Sequence, residues 1–220
     1  MTMIPYRWWV LGLVALWLAG CGGKLLPKSK PPVYYQLDYQ ATPLHCGQAL
    51  QKGLRVWRFA DSSTYQRTEM VVIQPQGKVA FSSAFQWVAR PGSLVADNLL
   101  RDLTMSRLFP QVVSGNDPVT VPLELTGRVF VFAWERAGGT SRAVLQVEVS
   151  LIDTDEPRHV VFRREYNLRS DPLGEDTSSA FARAMSELMK KFSEEFQQDL
   201  CKTIRSLARG KINTNSKPSL

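Results

Sequence analysis

Residues 123–153 read LELTGRVFVFAWERAGGTSRAVLQVEVSLID, and their alternation decides the fold. Arg142 to Asp153 places Ala143, Leu145, Val147, Val149 and Leu151 at every second position, the period of a half-buried strand. Leu123 to Trp134 is its partner, and Ala137-Gly138-Gly139 turns the chain between them. A second turn, Asp153-Thr154-Asp155-Glu156-Pro157, leads into a third strand. That strand puts Val160, Phe162, Arg164, Tyr166 and Leu168 on one side, and His159, Arg163, Glu165 and Asn167 on the other. Strands joined by short turns form an antiparallel meander, which can leave one face in water.

From Val129 onward the first of these strands is apolar on both faces. A period of two sets Phe130, Phe132 and Trp134 on one face and Val129, Val131 and Ala133 on the other. A strand with two apolar faces is covered twice. Helices cover one side; the other meets a second layer of the same domain, a partner subunit or an acyl chain. Phe130, Phe132 and Trp134 are therefore the candidate partner or lipid surface.

Outward from this meander, Val33 to Tyr39, Leu54 to Phe59, Glu69 to Gln74 and Lys78 to Trp87 read as strands. The last two form a hairpin through Pro75-Gln76-Gly77, and Ser82-Ser83 marks a bulge. Ser93 is the expected N-cap of a short helix carrying Val95, Leu99 and Leu103 and ending at Pro110. A long helix from Ser178 to Ala208 closes the domain. Phe181, Met185, Leu188, Phe192, Phe196, Leu200, Ile204 and Leu207 recur close to the helical period, as on a helix packed on a sheet. Cys201 falls on the flank of that stripe, within reach of a loop bearing Cys46. The expected fold class is α+β, an antiparallel sheet of about six or seven strands with two helices packed on one face.

The domain spans residues 33–209, and a disordered tail is expected over 210–220. Ahead of it, Arg7 followed by the apolar run Trp8 to Ala19 has the pattern of a signal peptide. The run is too short for the ~20 residues that span a bilayer. It ends in Leu18-Ala19-Gly20-Cys21, a lipoprotein cleavage box. Residues 1–20 are then removed, Cys21 receives the diacylglycerol, and residues 21–32, rich in Gly, Pro and Lys, are a tether. Gly22 follows the cysteine where an aspartate would retain many such proteins in the inner membrane, so anchoring in the outer membrane, facing the periplasm, is expected.

The mature chain carries 26 basic and 20 acidic residues, a net formal charge of +6. That surplus suits an anionic membrane surface or an acidic partner. A nucleic-acid partner is not expected, because the chain is exported and has no basic run interleaved with aromatics. Once Cys21 is lipidated, Cys46 and Cys201 are an even pair in an oxidising compartment, and a disulfide is expected between them. In the chain-entropy picture, closing so long a loop is worth roughly 5 kcal/mol.

Catalytic chemistry finds little support. His45 and His159 stand at unrelated places, and the chain has no HExxH, CxxC, Gly-rich phosphate loop or GxSxG. No catalytic residue, metal or cofactor is assigned. The acidic run Asp153 to Glu156 reads as an exposed hairpin tip rather than a cation site. Lys202, Arg205, Arg209 and Lys211 complement the dipole at the end of the closing helix, or meet anionic headgroups.

The order of these features resembles a known family. The cleavage box, Tyr34-Tyr35-Gln36-Leu37-Asp38, Leu54-Arg55-Val56, the hairpin from Met70-Val71-Val72 to Phe81, Gln86-Trp87 leading through Pro91 into a helix, the Phe132 strand and the long closing helix are similar to the auxiliary lipoproteins of ABC-type transporters, the PqiC-like family. The likeness covers residues 18–205; Cys46 and Cys201 depart from it. It implies a non-enzymatic, periplasm-facing lipoprotein serving an ABC transporter whose substrate-binding subunit has mammalian-cell-entry (MCE) domains. Such systems move lipids or other hydrophobic molecules between the inner and outer membranes. The other reading is a structural or outer-membrane-assembly lipoprotein of the lipopolysaccharide-export or secretion-pore type. Lipid cargo and homo-oligomerisation stay open.

Overall fold

The structure, a computed structural model, describes residues 30–47 and 49–214. The signal peptide, Cys21 and most of the tether lie outside them. The sheet has nine strands: β1 (Val33–Tyr35), β2 (Leu54–Val56), β3 (Ala60–Asp61), β4 (Glu69–Ile73), β5 (Val79–Trp87), β6 (Val112–Ser114), β7 (Leu123–Ala137), β8 (Thr140–Asp153) and β9 (His159–Arg169). Helix α1 spans Pro91–Ser106 and α2 spans Ser178–Thr214, reaching into the segment read as the tail; residues 215–220 lie outside the description.

The α+β class holds, but the sheet is mixed rather than antiparallel. The β7–β8–β9 meander and the β4–β5 hairpin are antiparallel, as their short turns require. β7, however, runs parallel to β2, β3 and β4, which lie along its other edge in succession. β1 is parallel to β5, and β2 to β6. Two reversals of direction bring this about: β5 turns back on β4, and α1 then returns the chain from β5 to a β6 that runs opposite to β5, so β6 and β7 run the same way as β2 and β4.

Long β7 is the centre of the sheet, and a bulge shifts its register between Val129 and Val131. Val129 pairs with Val147, Phe132 with Leu145 and Trp134 with Ala143, so all three stand on the face of the apolar β8 row. Phe130 sits at the shift and is half-buried. The expected grouping of Phe130, Phe132 and Trp134 on one face, opposite Val129, is thus corrected: an extra residue moves every later side chain to the other face. Gly127 in the same strand makes room for Phe59, whose ring comes within 2.3 Å of where a Cβ would stand.

The closing helix buries its expected stripe, from Phe181 through Phe192 and Phe196 to Ile204. Thr177 caps it, its Oγ1 accepting the Ala180 N–H at 3.2 Å. Helix α1 starts two residues before Ser93, with Pro91 at its first turn, where a missing N–H costs nothing. Its cap is remote in sequence: the Gly92 N–H donates to Asp61 Oδ1 at 2.6 Å.

Candidate functional site

The aromatic row is the natural place to begin. Phe132 and Trp134 are buried inside the domain, and the partner of these rings is α2 itself. Trp134 stacks on Phe181 with centroids 5.3 Å apart, and Trp87 meets Phe132 at 5.1 Å and Phe181 at 5.7 Å, edge to face. Such geometries suit the ring quadrupoles. On its outer side Trp134 carries the Arg136 guanidinium, 4.0 Å from the ring centroid, and Arg136 Nε donates to Asp176 at 3.0 Å. Trp134 Nε1 is buried without a hydrogen-bond partner. Beside it opens a cleft of about 580 Å³ with Val72, Ala80 and Phe85 as its apolar wall and Arg136 and Asp176 on its rim. Gln74, Ser82, Thr177 and Ser178 share the lining, so the cleft suits a group with both apolar and polar parts.

The second feature is a strap. After β1 the chain leaves the sheet and follows α2, where strand was expected through Tyr39. The Asp38 N–H donates to Ser186 Oγ at 3.0 Å and the Leu44 N–H to Gln197 Oε1 at 3.0 Å. Cys46 and Cys201 then come together as a disulfide, their Cα atoms 5.6 Å apart. Tyr39 Oη and Ser193 Oγ each donate to buried Asp102 Oδ2 at 2.6 Å, which ties strap, α1 and α2 to one carboxylate. Burial, then the hydrogen bond to Asp102, pushes the Tyr39 phenol far above its ordinary value. Sequence reasoning missed this cluster. Ser186, Ser193 and Gln197 lie off the apolar stripe of α2, and nothing in their spacing shows that a strap covers them.

The acidic tip is neutralised from within the chain. Lys52 Nζ reaches both Asp153 and Asp155 at 2.6 Å. Burial would raise the Asp153 carboxyl, but the Lys52 hydrogen bond and charge and the Asp155 N–H outweigh it and hold the carboxyl below the usual range. A depressed carboxyl stabilises the fold above its unfolded pKa, about 4, and the contribution is lost as pH falls through the folded value. Lys52→Ala is expected to cost about 1 kcal/mol or less at neutral pH, since the pair is partly exposed. The deficit should vanish in acid, as read from urea midpoints at both pH values. A deficit that persists in acid would assign the loss to packing.

The remaining candidates are quickly placed. His159 is exposed, its Nδ1 2.9 Å from the Pro157 carbonyl oxygen. Lys202 pairs with Asp199 at 3.1 Å, and Arg205 donates to the Cys46 carbonyl at 3.3 Å, so both serve the helix and its strap. No cluster of three metal-capable side chains occurs among the described residues.

With this geometry in hand, the chain can be set beside known proteins. No curated protein matches it. A crystal structure of a protein from Xanthomonas campestris superposes with a TM-score of 0.70 at 16% identity, covering 80% of this chain and 99% of that one. A second crystal structure, of an uncharacterized protein, gives 0.59 at 17% identity, covering 78% and 99%. At such identities these two show the fold alone. The family model for the ABC-type transport auxiliary lipoprotein component matches residues 35–196, from the inner tyrosine of β1 to the middle of α2. The chain therefore belongs to the family of ABC-type transport auxiliary lipoprotein components.

Proposed function

We propose that this protein is a non-enzymatic lipoprotein subunit of an ABC-type transporter with an MCE-domain component. In this reading it is anchored by a lipid on Cys21 in the outer membrane, faces the periplasm, and supports passage of lipids or other hydrophobic molecules between the membranes. The family match over residues 35–196 carries the reading. The cleavage box ending at Cys21 and the cleft beside Trp134 support it. Both helices are read as sharing one face of the sheet. That leaves the polar face of β8 and β9, where Arg163, Glu165 and Asn167 are exposed, to meet the transporter.

Two measurements test this. Affinity isolation of the tagged, lipidated protein should bring down an MCE-domain protein, and consistent absence of one overturns the transporter assignment. A Cys21→Ser variant exported behind an ordinary cleavable signal in place of residues 1–20 should be recovered in the soluble periplasmic fraction, because the acyl chains on Cys21 supply most of the anchor. A variant still sedimenting with membranes would overturn the lipid reading, and recovery of the wild type with the inner membrane would overturn the address.

A further inference from the structure

The large exposed apolar side chains are unevenly spread. Of nine among the described residues, five (Val33, Tyr34, Val79, Phe81 and Val88) lie on β1, on β5 or directly after β5. β1 and β5 are hydrogen-bonded neighbours that set Tyr34 beside Gln86, and the Val88 N–H donates to the Tyr35 carbonyl at 2.9 Å. The five residues therefore gather along one edge of the sheet, with Val33 and Tyr34 on opposite faces of it. Tyr34 is 58% and Phe81 44% exposed. Two cations border these strands. The Arg67 guanidinium lies 3.8 Å from the Phe81 ring centroid and Lys78 is exposed beside Val79, while Glu69 is the charged residue within β1, β4 and β5.

Chain length indicates what this edge faces. Val33 follows Cys21 by twelve residues, among them Lys24, Lys28 and Lys30. Fully extended, that segment reaches about 40 Å at most. If Cys21 carries the lipid, as proposed above, β1 is the first element beyond the anchor among the described residues. We propose that the β1–β5 edge is a membrane-contact surface, with Tyr34 and Phe81 entering the headgroup region of an anionic bilayer and Arg67 and Lys78 at its phosphates. Aromatic rings settle at that depth, and basic side chains are drawn to an anionic surface. The opposite edge is poorer in apolar surface, for β9 exposes one large apolar side chain, Val160, among Arg163, Glu165 and Asn167. A second copy is the poorer occupant, because β1 has only three residues with which to pair.

The test uses the lipidated mature protein in vesicles of phosphatidylethanolamine and phosphatidylglycerol. An environment-sensitive dye is attached at Tyr34→Cys, Phe81→Cys or, as control, Glu165→Cys on β9. The native cysteines are silent, Cys21 being acylated and Cys46 joined to Cys201. A nitroxide on the lipid headgroup should quench the dye at positions 34 and 81 roughly threefold more than at 165, and replacing phosphatidylglycerol by phosphatidylcholine should reduce the difference. Protein that floats with the vesicles but shows equal quenching at all three positions overturns this surface while leaving the anchor intact. A blue-shifted dye without quenching also overturns it, and identifies a second copy as the occupant. Protein that does not float overturns the anchor and the surface together.

Discussion

Phe181→Ala is expected to destabilise the protein by about 4 kcal/mol, a large share of the 5–15 kcal/mol that holds a typical domain together. Phe181 is completely buried and joins two strands to the helix, stacked on Trp134 from β7 and edge-on to Trp87 from β5. Truncation removes its transfer free energy and leaves a cavity that two rigid indoles cannot collapse to fill. Phe81→Ala, at a ring that is 44% exposed, is the comparison and should cost less than about 1 kcal/mol. Urea unfolding of the purified proteins measures both. The same experiment tests where the aromatic row of β7 points. Were Trp134 facing an external partner or lipid, Phe181→Ala would leave the isolated protein nearly unchanged, and a loss below about 1 kcal/mol would sink the assignment of these rings to the core.

That row marks the limit of what periodicity can tell. Alternation names a face only while polar residues mark the other one. Along β8 the polar positions Gln146 and Glu148 do so, and its inward set was legible residue by residue. From Val129 to Trp134 every residue of β7 is apolar, so the one-residue shift at the bulge leaves no trace in the sequence. The bulge region of β5 is the opposite case. Ser82-Ser83 interrupts an apolar pattern, and the register there jumps from Val71–Phe81 to Glu69–Gln86 as that interruption implies. Parallel pairings were hidden for a different reason. β2 and β3 are three and two residues long and find β7 nearly seventy residues later in the chain, a distance over which local pattern carries no information.

The site divides in the same way. Cys46 and Cys201 could be paired because they are an even remainder and because the helical stripe puts Cys201 on its flank. The strap between β1 and Cys46 was invisible. Its hydrogen bonds go to helix side chains rather than to a strand, and so leave no alternation. Asp61 likewise caps α1 from thirty-one residues away, where local spacing favoured Ser93. In each case the chain solved a backbone hydrogen-bonding need with a side chain distant in sequence.

The strap makes the disulfide the second large effect. Cys46→Ser with Cys201→Ser is expected to cost about 3–5 kcal/mol, because the bridge spans 155 residues and restricts nearly the whole unfolded domain. For a chain of this size that corresponds to a fall of about 10 °C in the thermal midpoint. The native state loses something as well. The strap lies outside the sheet, and Cys46 is where it is fastened to α2; the Arg205 bond to the Cys46 carbonyl sits at the same point. Without the bridge, opening should begin there, and the amides of Leu44 and then Asp38 should lose hydrogen-exchange protection before those of β8. Reductant should reproduce the loss in the wild type and leave the double variant unchanged. If both thiols alkylate in protein that has never been reduced, or if reductant leaves the wild-type midpoint where it was, the bridge is not what fastens the strap, and the carboxylate of Asp102, bonded to Tyr39 and Ser193, holds it instead.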